Sequence, residues 1–260
     1  MKLVMKIGGA AIDDAAALER LARVVSSLKC AGHRVLVVHG GGSSLTATLR
    51  AMGRESRFLD GLRVTDAPTR DAAVMVFAGL VNKKLVAVLG AAGVPALGMC
   101  GGDLGIMRAT PKSAPAGLGF VGDVVAVDAQ WIGRLWSAGA VPVVASIALG
   151  TNGEYYNVNA DEAASACAAA LKVDALAFLT DVPGVRGADG TVLHALHVAD
   201  IPDLIERTVV SGGMLPKLNA CTRALRGGVA RVHILPAAQA DAVHGATNGG
   251  IACGTEVLAR

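Results

Sequence analysis

Short apolar runs that end in glycine turns constrain this chain more than any other feature. Leu3–Ile7 leads into Gly8-Gly9, and Arg34–Val38 leads into His39-Gly40-Gly41-Gly42. Short continuous apolar runs are how strands of a parallel sheet covered on both faces read. Asp13 or Asp14 can cap a helix between the two runs, with an apolar stripe at Leu18, Leu21, Val25 and Leu28 and an end at Gly32. A second helix follows the triple glycine through Leu45, Leu49 and Met52. This strand–helix–strand–glycine–helix order predicts a right-handed parallel crossover.

The pattern continues. Helices are expected at Asp71–Ala92, Gln130–Ala138, Ala160–Leu171, Ala199–Arg207 and Pro216–Arg226. Strands are expected at Val94–Met99, Phe120–Val127, Val141–Ala145, Asp174–Leu179 and Arg231–Leu235, with a hairpin carrying Glu154–Asn157. The fold class is therefore α/β. With 53 % hydrophobic but only 3 % aromatic residues, the core is built from Ala, Val and Leu, which suits helices laid closely on a sheet. No linker-like stretch interrupts the 260 residues, so two lobes, 1–172 and 173–260, are expected to share one continuous sheet.

Several classes of partner find no support. The net charge of +3 is spread without a basic block, which argues against nucleic acid. Five cysteines, odd in number and without C-x-x-C spacing, argue against a disulfide framework or zinc site and predict buried, reduced thiols. The uncharged stretches Leu85–Gly102 and Leu135–Gly153 are broken by proline and glycine, so they read as strand–turn–strand and not as membrane spans. The start lacks the long apolar region of a signal peptide, and a cytoplasmic location is expected. The histidines show no metal-ligand spacing, and His39 reads as structural.

Five segments carry candidate chemistry. Lys6 ends the first strand, where the carboxyl edge of a parallel sheet opens into a ligand crevice; a surface lysine beside an ordinary turn is the plain alternative. Gly40, Gly41 and Gly42 let backbone amides approach an anion at a helix N-terminus, although glycines also serve close packing. The spacing matches neither a Walker loop nor the dinucleotide fingerprint. Asn157-Val158-Asn159-Ala160-Asp161 offers amide donors and a carboxylate where a helix begins, which is also where Asn and Asp cap helices. Lys217 falls in the first turn of its helix, against the dipole, a conflict that an anionic ligand would relieve. A carboxylate between two lysines would hold both ammonium groups toward a transferring phosphoryl group. Arg63 could clamp a substrate carboxylate bidentately, or be a solvated surface arginine.

In this order, the set resembles the amino acid kinase family. The resemblance runs from Lys6-Ile7-Gly8-Gly9 through His39–Gly42, Gly61–Thr65, Val121–Val124, Asn157–Asp161, Leu179–Val185 and Gly212–Lys217 to Cys253-Gly254-Thr255. It implies an open three-layer αβα sandwich with a mainly parallel central sheet, an amino-acid lobe and an ATP lobe. It also implies Mg²⁺-dependent transfer of the ATP γ-phosphoryl group to the side-chain carboxylate of N-acetyl-L-glutamate. By resemblance, Lys6 and Lys217 stabilise the transition state and Asp161 orders them. Gly41, Gly42, Arg63, Asn157 and Asn159 bind the acid, and the protein itself supplies no metal ligand. Gly8, Gly9, Asp181, Val182, Gly184, Val185, Arg186, Val209, Val210 and Ser211 bind the nucleotide. A homodimer through the Asp71–Ala92 helix is expected. So is a lack of arginine inhibition, since only five residues precede Lys6. Phe58, Gly101-Gly102-Asp103 and Pro236-Ala237-Ala238 depart from the family pattern. A sister kinase acting on carrier-linked α-aminoadipate or another carboxylate is the nearest alternative, followed by a non-catalytic sensor on the same fold.

Overall fold

The computed structural model describes residues 1–248, 250 and 253–259, with the backbone alone for Ala10 and Asn248. Its centre is an eight-stranded sheet. In spatial order the strands are Ala195–His197, Thr255–Leu258, Arg231–Pro236, Ala175–Thr180, Lys2–Ile7, Arg34–His39, Val141–Ala145 and Ala96–Cys100. Every neighbouring pair is parallel except Arg231–Pro236 with Thr255–Leu258. The sheet crosses the expected lobe boundary without a break, because Lys2–Ile7 pairs with Arg34–His39 on one side and Ala175–Thr180 on the other.

Side-chain alternation along the first strand divides the core into two layers. Leu3, Met5 and Ile7 enter one, with Leu18, Leu21, Leu28, Leu45, Leu85 and Leu89. Val4 points to the other, which is filled by Ile132, Trp136, Cys167, Leu218 and Cys221. Lys6 has the parity of Val4, so it leaves the sheet on the face covered by the helices Ala160–Leu171 and Met214–Arg226. The period of two thus decides which helices Lys6 can meet.

The helix over the first crossover spans Ala15–Cys30, and Asp14 rather than Asp13 caps it by accepting from the Ala16 and Ala17 amides. The expected helix at Asp71–Ala92 runs from Ala67 to Ala91 and contains a π-helical segment, Met75–Val81. It is long and apolar enough to cross a membrane, yet Ala72, Val76, Phe77, Leu85 and Leu89 are packed into the first core layer. Leu85–Gly102 is helix, turn and strand, not strand–turn–strand. The expected helix at Ala199–Arg207 reduces to a 3₁₀ turn and Ile201–Glu206, with Pro202 at its start.

One element was not anticipated. Met107–Pro111, Val121–Val127, Ile147–Gly150 and Tyr155–Val158 close into a small barrel beside the sheet. Its strands join segments far apart in sequence, and Asn157 rides on one of them. Among the cysteines, Cys100, Cys167 and Cys221 are buried as expected, whereas Cys30 is exposed and Cys253 half-buried. Burial pushes the Cys167 thiol up to about 12, which makes it inert.

Candidate active site

Lys6, Asp161 and Lys217 meet at the carboxyl edge of the sheet. The Lys6 ammonium lies 2.7 Å from one Asp161 oxygen, and the Lys217 ammonium donates to the other at 2.9 Å. The Lys217 ammonium also stands 5.3 Å from the centre of the Phe178 ring, which neighbours Lys6 across the sheet. All three side chains are nearly buried. Burial alone would raise the Asp161 carboxyl, but its two ammonium partners hold it down at about 2. Burial and the facing Lys217 charge lower Lys6, while Asp161 opposes that fall. Two cations so close are tolerated because one carboxylate holds both, and the array keeps a net positive charge for an incoming anion.

Clefts open on both sides of this array. The first, about 230 Å³, is lined by Lys6, Gly9, Gly40–Gly42, Phe58, Arg63, Asn157 and Asn159. Gly41 is closely flanked: a Cβ there would sit 3.0 Å from Phe77 and Val81 in the π-helical segment, so any larger residue would have to displace them. Arg63 is buried and donates to Ser56, to the Gly42 carbonyl at 3.0 Å and to Thr46 at 2.8 Å. The Phe58 ring lies over the Arg63 guanidinium at 4.7 Å, so the residue that departs from the family pattern stacks on the proposed clamp. Asn157 donates to Thr65. Asn159 caps the Ala160–Leu171 helix, its side-chain oxygen accepting from the Asp161 and Glu162 amides. That oxygen is committed to the cap, and the cap is what seats Asp161 between the lysines.

The second cleft, about 520 Å³, is lined by Lys6, Gly8, Gly9, Asp181, Val182, Ser211, Gly213, Met214 and Lys217. Lys6 and Gly9 border both clefts. Gly8 bonds to the Leu179 carbonyl, and a Cβ there would come within 3.0 Å of the same oxygen. Gly184, Val185, Arg186, Val209 and Val210 do not border this cleft. Val185 and Val210 are core side chains, and the Val185 amide donates to the Thr255 hydroxyl. Arg186 is exposed.

The family model for the amino acid kinase family matches residues 1–236. The chain belongs to the amino acid kinase family. Within that family it is 56 % identical over 259 residues to an acetylglutamate kinase of Acidobacterium capsulatum, with 100 % of both chains covered. An acetylglutamate kinase of Koribacter versatilis is 54 % identical over 259 residues, covering 100 % of this chain and 99 % of that one. Among solved structures, N-acetylglutamate synthase of Neisseria gonorrhoeae, complexed with coenzyme A and N-acetyl-glutamate, superposes with a TM-score of 0.86. That match covers all of this chain and 59 % of the synthase at 26 % identity.

Two polar residues at or beneath the first cleft were assigned no role from the sequence. Ser146 lines it with a buried hydroxyl. Asn82, fully buried on the long helix, reaches His39 beneath the triple glycine. Neither belongs to a local motif. The signal for each is a polar residue within an otherwise apolar run, which becomes informative only once the partner across the core is known.

Proposed function

We propose that this chain is an ATP-dependent kinase that phosphorylates the side-chain carboxylate of N-acetyl-L-glutamate, in arginine biosynthesis. The observation that carries the reading is the Lys6–Asp161–Lys217 array standing between two clefts, in a chain 56 % identical over its length to an acetylglutamate kinase. The acid occupies the smaller cleft, its α-carboxylate near Arg63 and its acetamido end near Asn157. ATP enters the larger cleft along Gly8, Asp181, Val182 and Ser211, with the core side chains of Val185 and Val210 supporting these turns from behind. Residues 1–172 form the acid lobe and 173–260 the ATP lobe.

A substrate carboxylate oxygen attacks the γ-phosphorus in line, the bond to the β-bridging oxygen breaks, and ADP leaves with that electron pair. Lys6 and Lys217 neutralise charge on the transferring oxygens, and Asp161 fixes their positions without touching the phosphoryl group. Among the described residues, no group of three or more His, Cys, Asp or Glu side chains is arranged to hold a metal. Both Asp161 oxygens are also taken by lysines. This donor set fits a Mg²⁺ ion that arrives on the nucleotide, where it neutralises the phosphates. We place the enzyme in the cytoplasm, as a homodimer through the Ala67–Ala91 helix, whose Met75 and Leu80 are 56 % and 63 % exposed. Light scattering should return twice the chain mass.

The deciding assay is ATP- and Mg²⁺-dependent acyl-phosphate formation, trapped with hydroxylamine, on N-acetyl-L-glutamate beside glutamate, aspartate and carbamate. Signal on N-acetyl-L-glutamate alone is expected. Silence on all four, with ATP still binding by calorimetry, would replace this reading with a carrier-linked substrate or a sensor.

A further inference from the structure

His39 is fully buried at the end of its strand, directly before the triple glycine, and no substrate atom can reach it. Its two ring nitrogens are nevertheless both engaged. Nδ1 lies 2.7 Å from the Gly40 carbonyl, and Nε2 lies 3.0 Å from the side-chain nitrogen of Asn82. Which nitrogen carries the proton follows from partners that can act in only one way. Lys83 can only donate, and its ammonium lies 3.1 Å from the Asn82 side-chain oxygen. The Met99 and Val143 carbonyls can only accept, and both face the Asn82 nitrogen, at 3.2 and 2.9 Å. The Asn82 NH₂ therefore faces His39 and shares its two protons among three acceptors; an amide nitrogen accepts nothing, so Nε2 carries no proton, and the ring proton resides on Nδ1, where the Gly40 carbonyl accepts it.

The chain makes room for this arrangement. A Cβ at Gly98 would lie 2.0 Å from the Asn82 oxygen, so that strand position must be glycine for Asn82 to fit. Burial, with Lys83 nearby, lowers His39 to about 4, which keeps the ring neutral at any working pH. The Ser146 amide donates to the His39 carbonyl at 3.0 Å, fixing the backbone on the other side of the ring.

We infer that His39 is a positioning residue for phosphoryl transfer: locked by Asn82 in its Nδ1–H form, it pins the Gly40 carbonyl and so aims the Gly41 amide into the acid-side cleft. The link is the planar trans peptide between Gly40 and Gly41, in which C=O and N–H point in opposite directions. With the carbonyl held by the ring, the amide on the other side of that peptide is turned away from His39, and Phe77 and Val81 flank Gly41 closely enough that an added Cβ would stand 3.0 Å from each. A preorganised amide aimed at developing negative charge is a large catalytic contributor. The inference rests on the kinase reading for its consequence, but not for its geometry.

The test uses full-length protein labelled with ¹⁵N-histidine, together with kinetics of His39→Leu, His39→Asn and Asn82→Leu on N-acetyl-L-glutamate and ATP. In the wild type, His39 should show a protonated Nδ1 and a bare Nε2 from pH 6 to 9, and Asn82→Leu should weaken that preference. His39→Leu should lose about 10²-fold in kcat, the scale for misplacing a group by roughly 1 Å, with KM for ATP unchanged. His39→Asn, whose amide nitrogen can stand where Nδ1 stood, should recover to within about tenfold of wild type. A proton on Nε2 would overturn the inference, as would unchanged kcat in His39→Leu or an Asn variant as impaired as the Leu variant. If the Leu variant fails to fold, the tautomer and the Asn variant still decide. A wild type inactive on N-acetyl-L-glutamate would sink the kinase reading alone, leaving the tautomer result to stand.

Discussion

The two clefts that share Lys6 are built by opposite means. On the acid side, the lining groups are held before any ligand arrives. Arg63 is bonded to Ser56, Thr46 and the Gly42 carbonyl, Asn157 to Thr65, and the triple glycine to a buried histidine. On the nucleotide side, the lining comes from exposed turn residues, Asp181 and Ser211 to Gly213, set on a strand end and a helix start. The clefts differ in size as well, about 230 Å³ against about 520 Å³. A small acid must be discriminated by shape and fixed charge, so its cleft is rigid. A polyphosphate brings its own charge and needs mainly backbone amides and two lysines.

Removing a cation of the array between the clefts should produce the largest effect. Lys217→Ala should lower kcat by about 10²-fold or more, with both KM values little changed. An effect confined to a raised KM for ATP would limit Lys217 to nucleotide binding. Next comes the clamp on the rigid side. Arg63→Lys should raise KM for the acid about tenfold, since the planar fork bonded to three partners is lost. Unchanged KM would remove Arg63 from the acid site. On the open side, Asp181→Ala should raise KM for ATP only a few-fold, the scale of one exposed polar contact. An effect as large as that of Arg63→Lys would erase the contrast between the clefts.

The smallest expected effect concerns pH. Asp161 is depressed to about 2 in the folded protein, against roughly 4 for a free aspartate. The stability it contributes is therefore full above about pH 4 and is lost only as pH falls toward 2. Replacing it by Asn should leave the acid limb of the kcat profile in place. Disappearance of that limb would mean that the pair with the lysines is weaker than the geometry shows.

Much of this was legible in the sequence because the signals are local. Ala160–Leu171 and Val141–Ala145 agree with their expected bounds to the residue, since Asn159 is a strong cap and the strand is an unbroken apolar run. The strand end at Lys6-Ile7 was readable for the same reason, whereas the expected Gly8-Gly9 turn is the start of a short helix, Gly9–Asp13. The small barrel was not, because its strands gain their partners from across the chain and two of them are only four residues long. Ala195–His197 and Thr255–Leu258 were too short to register as strands and exist because the sheet edge accepts them. Val185 and Val210 illustrate the reverse case: they sit in motif-like segments, but their side chains belong to the core.

The sequence by itself determined the α/β class, the order of strands and glycine turns, and the presence of two lysines and an aspartate able to act on an anion. Propensity, capping and periodicity act over a few residues, so they can be read along a line. The tertiary structure alone decided that Lys6 and Lys217, 211 positions apart, grip opposite oxygens of one carboxylate. It decided too that Asn159 serves as a cap while Asn157 faces the cleft, and that Asn82 fixes the proton on His39. Each of these depends on strand register and helix docking, which follow from burying the whole core at once and leave no local mark.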